Sequence, residues 1–283
     1  MPSSNVNVLI IGSNRPNHLR NLLKSAALNK HESVFIFLDG YNSEEENAQK
    51  FIETQQIARD FLRNNLERLY IFPSKLGCYK GVTTAIDWFF ENVEEGLIFE
   101  DDLMPHPEIL SIAQKTLANF RNYSNVGSIS FYRAVGMDED KKLSISRYPS
   151  SWGWATWKNR WDQFDHKAHE NLRYRPVLLF RHGGWTGLRR WYHIITRLKN
   201  GELDSWAYRW MFTFWLKKYY TVVCPFNLIE NNGFGEDATH TKKGSGNSLY
   251  SGKILDSQAW NMTTLLIDEV YDQELLKIQF GIY

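Results

Sequence analysis

The sequence predicts an α/β protein with a mostly parallel, doubly wound sheet and helices on both faces. Short apolar, β-branched runs alternate with segments of helical periodicity over the first ~130 residues. The first four runs each end at a glycine, a proline or a polar cluster. The chain has 283 residues, of which 43% are hydrophobic, enough for one large core. Such alternation favours parallel strands joined by right-handed crossovers.

The elements follow in order along the chain. The predicted strands are Val6–Ile11, Val34–Leu38, Leu69–Phe72, Gly96–Phe99 and Val126–Phe131. The predicted helices are Pro16–Ala27, Glu44–Asn64, Gly81–Asn92 and His106–Asn122. The second half is less regular: it has an aromatic-rich stretch, a helical region, a short strand and a polar loop, at Ser150–Phe164, Ser205–Tyr220, Val222–Val223 and Asn231–Asn247. It contains no linker long enough to separate a second domain.

Composition excludes several classes of protein. The net charge is +1, which gives no basis for nucleic-acid binding. Cys78 and Cys224 lie far apart without a CxxC partner, so a reduced, cytoplasmic protein is expected. The N-terminus lacks the basic region of a signal peptide, and no apolar stretch approaches the roughly 20 residues of a spanning helix.

Polar clusters follow three of the predicted strands: Ser13-Asn14-Arg15, Asp39 and Glu100-Asp101-Asp102. In doubly wound sheets, ligands bind at the carboxyl ends of the strands. The three clusters should therefore meet at one ligand-binding edge. Arg15 could hold a diphosphate there or be a surface residue, and Asp39-Gly40 could bind a ligand or simply form a turn.

The acidic triplet is the candidate metal site. Mg²⁺ and Mn²⁺ prefer oxygen ligands, often one or two protein carboxylates with phosphate and water. Alternation along an extended chain places Glu100 and Asp102 on one face and Asp101 on the other. The alternative is a solvated acidic turn before the next helix, but the position at a strand end favours a ligand site.

Further candidates lie outside the strand ends. Lys75 and Lys80 could neutralise a phosphate near the next helix start or be solvated. Trp152 could stack on a sugar, with Gly153 admitting a ligand near the backbone, or both could serve packing. His240, in the loop Asn231–Asn247, is a candidate metal or diphosphate contact.

The segment from residue 171 to residue 201 contains seven Arg or Lys and no acid, with apolar residues between them. The pattern indicates a solvated basic face over a buried stripe. It also offers peripheral contact with an anionic membrane surface or an anionic acceptor.

The run Gly96-Leu-Ile-Phe-Glu-Asp-Asp-Leu103, preceded by Leu76-Gly77 and followed by Pro105, resembles the GT-A-fold glycosyltransferases. The nearest likeness is to the N-acetylglucosaminyltransferase I type and related bacterial proteins. It extends from Val6 to about Arg133 and continues more loosely through Trp152-Gly153-Trp154 and Leu203–Trp206. The resemblance implies that residues 1–133 bind the nucleotide sugar and that residues 134–283 form the acceptor-binding, catalytic half of the same domain.

The resemblance also implies residue roles. Asp102 would be the direct ligand of Mn²⁺ or Mg²⁺, while Glu100 and Asp101 would face the ribose and donor sugar. Arg15 would contact the base or diphosphate, and Asp39 would hydrogen-bond the base. Ser13, in the same polar cluster as Arg15, is a further candidate for binding the nucleotide sugar. Asp204 would stand where the family keeps its catalytic base, although the family has adjacent acids there.

The expected function is inverting transfer of a sugar from a nucleoside-diphosphate donor, UDP-linked on the resemblance, to a hydroxyl of a glycan or lipid-linked acceptor. Bacterial polysaccharide biosynthesis is the implied setting. The alternatives are a sugar nucleotidyltransferase and a non-catalytic sugar-binding module. Gly12-Ser13-Asn14-Arg15 has a single glycine, which argues against the Gly-rich phosphate loop of a nucleotidyltransferase.

Overall fold

The computed structural model describes residues 6–25, 27–28, 32–41, 45–136, 142–233 and 266–283. Its strands are β1 Asn7–Gly12, β2 Val34–Leu38, β3 Leu69–Ile71, β4 Glu95–Glu100, β5 Leu103–Pro105, β6 Val126–Ser130, β7 Ser144–Ser146, β8 Trp154–Trp157, β9 Tyr220–Val223 and β10 Ile229–Asn231. Its helices are α1 Pro16–Lys24, α2 Glu45–Leu62, α3 Cys78–Asn92, α4 Ile109–Phe120, α5 Lys158–Trp161, α6 Ala168–Leu172, α7 Pro176–Arg181, α8 Gly184–Lys199, α9 Trp206–Lys217 and α10 Glu269–Phe280.

The central layer is an eight-stranded sheet in the order β3-β2-β1-β4-β8-β6-β9-β7. Strands β1 to β4, β6 and β9 run in one direction, and β8 and β7 run against them. A separate antiparallel pair joins β5 to β10. The predicted α/β class is therefore confirmed, with the mostly parallel sheet and flanking helices that the GT-A resemblance implies.

Both faces of the sheet are covered. In β1, Val8 and Ile10 pack into the core formed with α1, α2 and α4. Leu9 and Ile11 pack into the opposite core, formed with α3 and with α6 to α10. This explains the unbroken apolar runs of β1 and β2, because a strand buried on both faces needs no polar side. The two helical layers therefore lie on opposite sides of the sheet.

The strands predicted in the first half are all present, and their ends agree with the prediction to within one residue. Helix α3 begins at Cys78 rather than Gly81, because Gly77 takes a left-handed φ of 86° and starts the helix earlier. Strand β8 was not predicted. It lies in the aromatic-rich stretch and pairs antiparallel with both β4 and β6.

The described residues contain no helix that is long and apolar enough to cross a membrane. Cys78 and Cys224 are both free thiols. The fold places the carboxyl ends of β1 and β4 side by side, with Ile11 opposite Glu100 in the register. That juxtaposition builds the site described next.

Candidate active site

A cavity of about 390 Å³ opens where β1 and β4 end. Five residues proposed from the sequence line it: Arg15, Glu100, Asp102, Trp152 and Asp204. They come from distant parts of the chain, and Asp204 lies just before the start of α9. The fold thus brings two members of the acidic triplet, Glu100 and Asp102, to the same cavity as the candidate base.

The acidic triplet divides between two environments. Glu100 and Asp102 line the cavity, whereas Asp101 is buried, its backbone N–H donating to the Ile11 carbonyl at 3.0 Å. This is the alternation expected of an extended chain end. Asp101 does not line the cavity. Its side chain instead accepts a hydrogen bond from Arg15, which does line it.

Arg15 is the counter-ion of the triplet. Its Nη1 donates to Asp102 Oδ2 at 3.0 Å and to Asp101 Oδ1 at 3.4 Å. Burial raises the pKa of Glu100 to about 8, and the negative charges of Asp102 and Asp101 contribute to this rise. Burial also raises the pKa of Asp101 to about 7, against the opposing charge of Arg15. One guanidinium therefore faces three crowded carboxyl groups, and the cavity favours additional positive charge.

Asp204 is exposed and lies at the N-termini of two helices. Its Oδ1 accepts the Tyr79 N–H in the first turn of α3 at 3.2 Å. The neighbouring Ser205 caps α9 by accepting the Tyr208 N–H at 3.4 Å. A Cβ at Gly77 would lie 2.8 Å from Asp204 Oδ2, so glycine makes room for this carboxylate.

Asp39 organises the turn that precedes α3. Its Oδ1 accepts the Leu76 N–H at 2.8 Å and its Oδ2 accepts the Gly77 N–H at 3.2 Å. Burial raises the pKa of Asp39, and these backbone hydrogen bonds oppose the rise. Ser13 Oγ donates to the Gly40 carbonyl at 3.3 Å. Neither Asp39 nor Ser13 lines the cavity, so contact with a base remains a prediction for both.

Lys75 and Lys80 are exposed and also outside the cavity lining. Gly153 has a left-handed φ of 57°, and a Cβ there would come within 2.4 Å of Ile229 Cδ1. Tight packing thus accounts for this glycine, whereas its proposed approach to a ligand is untested. His240 lies outside the described residues.

The sequence did not single out several lining residues, namely Cys78, Ser151, Leu203, Ser205, Trp206, Ala207, Tyr208, Asn231 and Gly233. Asn231 and Gly233 arrive through the β5–β10 pairing. The Asn232 N–H donates to the Asp102 carbonyl at 2.9 Å, and a Cβ at Gly233 would lie 2.2 Å from Asp102 Oδ2. The glycines and polar residues of this loop could have indicated a ligand-binding loop. Its contact with Asp102 could not be predicted locally, because it depends on the pairing of β5 with β10.

A second cavity, of about 410 Å³, shares a wall with the first. Ser151, Trp152, Trp206, Ala207 and Tyr208 line both. The remaining walls are largely aromatic or apolar and include Tyr132, Trp210, Met211, Ile278 and Phe280. Trp152 packs edge to face on Tyr132, with ring centroids 4.8 Å apart, which fixes the shared wall.

No protein-family model matches the sequence, and no curated protein matches it. Among solved structures, S. aureus TarS (residues 1–349) is similar at 14% identity and a TM-score of 0.42, over 78% of this chain and 58% of that one. The galactosyltransferase LgtC, solved with donor and acceptor sugar analogs, is similar at 11% identity and a TM-score of 0.36, over 77% and 72%.

A cytidylyltransferase from Leptospira borgpetersenii is similar at 12% identity and a TM-score of 0.33, over 56% of this chain and 63% of that one. The chain thus spans about three fifths of the length of this protein and of TarS. At such low identities and TM-scores, function has to be inferred from the cavity and its residues.

Proposed function

We propose that the protein is a glycosyltransferase that moves a sugar from a nucleoside-diphosphate donor to an acceptor hydroxyl with inversion. The observation that carries this proposal is the single cavity that joins Arg15, Glu100 and Asp102 to the exposed carboxylate of Asp204. A charged cluster for the diphosphate and a separate base are the two groups that a single-displacement transfer needs.

Asp204 is proposed as the general base. The hydrogen bond from the Tyr79 N–H at the start of α3 holds its carboxylate in place, and its exposure leaves it open to an acceptor. It would remove the proton of the acceptor hydroxyl as the hydroxyl oxygen attacks the anomeric carbon. The bond from that carbon to the diphosphate oxygen breaks, and the nucleoside diphosphate leaves with the electron pair.

The leaving diphosphate would be stabilised by Arg15, whose guanidinium suits phosphate oxygens. The carboxylates of Glu100 and Asp102 fit a hard divalent cation, because the donor set is all oxygen and Arg15 neutralises only part of its charge. Mn²⁺ or Mg²⁺ held there would add positive charge at the diphosphate. By the resemblance, the donor is a UDP-sugar.

The second cavity is proposed as the acceptor subsite. It opens beside Asp204 through the shared wall, and its aromatic side chains suit the apolar faces of a sugar ring. This placement supports a glycan or a lipid-linked sugar as the acceptor. A hydroxyl bound there would approach the donor cavity from the side on which Asp204 lies.

The test is Asp204→Asn, with Glu202→Gln as the matched control. Glu202 is an exposed acid two residues away that does not line the cavity. Loss of the base should lower kcat by roughly 10²- to 10⁴-fold while donor affinity changes little. Transfer would be measured as nucleoside diphosphate released from a panel of nucleotide sugars with sugar acceptors, and donor affinity by calorimetry.

Near-normal turnover in Asp204→Asn would contradict its role as the base. Release of pyrophosphate from a nucleoside triphosphate and a sugar phosphate would show nucleotidyl transfer instead. Binding of sugars without any nucleotide affinity would identify a non-catalytic module.

A further inference from the structure

Helix α7 and the start of α8 expose large apolar side chains on the molecular surface. Tyr174 is 80% exposed, Val177 68%, Phe180 40% and Trp185 77%. Phe180 and Trp185 pack edge to face, with ring centroids 5.2 Å apart, so the two helices present one continuous aromatic area. The buried side chains of α8, at Trp191, Ile194, Ile195 and Leu198, lie on another side of the helix from the exposed Trp185.

The same surface is strongly basic. Arg173, Arg175, Arg181, Arg189 and Arg190 are all exposed. Within the part of the chain that the structure describes, none of these five arginines forms an ion pair with a carboxylate. We call these five arginines, with the four apolar side chains, the basic-aromatic surface.

A cavity of about 990 Å³ adjoins the basic-aromatic surface and shares Tyr174, Arg175, Val177 and Arg181 with it. Lys218 adds positive charge to its walls, whereas Arg147 is paired with Glu269 and with buried Asp272. In the described lining the single acid is Glu269, and it is paired with Arg147. The cavity is therefore suited to a phosphate group that enters from the aromatic side.

Nearby negative charge is limited. Arg197, at the far end of α8, is 4.0 Å from Glu202. Glu202 offsets part of the charge of the segment from residue 171 to residue 201, which itself contains seven Arg or Lys and no Asp or Glu.

We propose that the basic-aromatic surface docks on a membrane that contains anionic lipids. Arginines would meet the lipid phosphates, one of which would enter the adjoining cavity, while Trp185 and Phe180 would sit at the headgroup–acyl boundary. A soluble polyanion without aromatic groups, such as heparin, would use the arginines alone. The exposed apolar side chains among the charges therefore favour a lipid surface. The proposal does not depend on the reaction proposed above.

The experiment is co-sedimentation of the full chain with vesicles of phosphatidylcholine alone and with added phosphatidylglycerol. The protein should bind the anionic vesicles and not the neutral ones. Arg189→Gln/Arg190→Gln should weaken binding by about fivefold for each arginine removed. Trp185→Ala should also weaken vesicle binding, yet leave heparin binding unchanged.

The matched controls are Ile52→Ala and Arg59→Gln on α2, which lies on the opposite face of the sheet and exposes both side chains. These variants should bind vesicles like the wild type, and thermal unfolding would confirm that all variants are folded. Equal binding to neutral and anionic vesicles would overturn the proposal. So would an equal loss in the α2 variants, or full vesicle binding by Trp185→Ala, which would indicate a site for soluble polyanions.

Discussion

Arg15 links the two kinds of carboxylate in the candidate site. It contacts buried Asp101 on one side and cavity-lining Asp102 on the other, at 3.4 and 3.0 Å. Asp101 therefore acts as an anchor that holds the guanidinium over the cavity. Because the guanidinium neutralises the cluster only in part, a diphosphate would bind here most strongly together with a second cation.

At this scale the prediction concerns Asp102. Asp102→Ala should remove the dependence of UDP binding on Mn²⁺, because it deletes the proposed metal ligand. In the wild type, chelation with EDTA should weaken UDP binding by roughly tenfold or more. Calorimetric titration with and without Mn²⁺ measures both effects.

Glu230→Ala is the control for Asp102→Ala, since Glu230 is an exposed acid on β10 that pairs in the sheet with Met104. It should retain the Mn²⁺ response of the wild type. An Asp102→Ala variant with an unchanged Mn²⁺ response would refute the metal assignment.

Among the elements, β8 has the most unusual position, since it enters the sheet antiparallel between β4 and β6. The chain reaches it through Gly153, whose left-handed φ of 57° and contact with Ile229 leave no room for a side chain. The turn therefore fixes where β8 starts and joins β8 to the β5–β10 pair. Since Trp152 precedes this glycine, the same turn sets the wall between the two cavities.

Gly153→Ala should accordingly lower the free energy of unfolding by about 2–4 kcal/mol, from backbone strain together with overlap on Ile229. Gly201→Ala is the matched control, because Gly201 has a φ of 73° with nothing within 4 Å of an added Cβ. It should cost only about 1 kcal/mol, from strain alone. Urea unfolding measures both, and equal losses would show that packing on Ile229 contributes nothing.

Much of the first half was predictable from local pattern. Buried apolar runs mark β1, β2 and β4, and Arg15 after β1 does meet Glu100 and Asp102 in one cavity. Strand β8 was missed because Trp154 and Trp157 suggest packing as readily as a strand, and its pairing partners are distant in sequence. Asn231 and Gly233 were missed as cavity residues for the same reason.

The second half shows the same limit of local pattern. The basic segment covers a buried stripe as predicted, through Trp191, Ile194, Ile195 and Leu198 of α8. Spacing alone did not reveal that Trp185 faces outward, because an apolar residue near a helix start can lie on either side. Only the packing of α8 against α7 and α9 decides it.

Across the whole molecule, α10 ties the end of the chain to the sheet. Asp272 is buried and accepts hydrogen bonds from Ser146 Oγ at 2.5 Å and from Arg147 Nη1 at 3.0 Å. Ser144 Oγ donates to Asp268 at the start of α10, at 2.8 Å. Helix α10 also supplies Phe280 to the proposed acceptor cavity, so this docking shapes that subsite.

Asp272→Ala should lower the free energy of unfolding by about 1–3 kcal/mol, because the buried Ser146 hydroxyl and one face of Arg147 lose their acceptor. Glu269→Ala removes the exposed partner of the same arginine and should cost less than about 1 kcal/mol. Chemical denaturation of the two variants gives the comparison. A larger loss in Glu269→Ala would show that the surface pair, rather than Asp272, secures α10.

The position of β8 also limits where the protein can be cut into fragments or joined to parts of another protein. A fragment ending near residue 133 would carry β4 and β6 but not the strand that lies between them. Both strands would then present unpaired backbone edges, which in isolated fragments lead to aggregation. The half proposed to bind the donor is thus not expected to fold as a separate module. Fusion, splitting or exchange of the two halves has to keep β8 with β4 and β6.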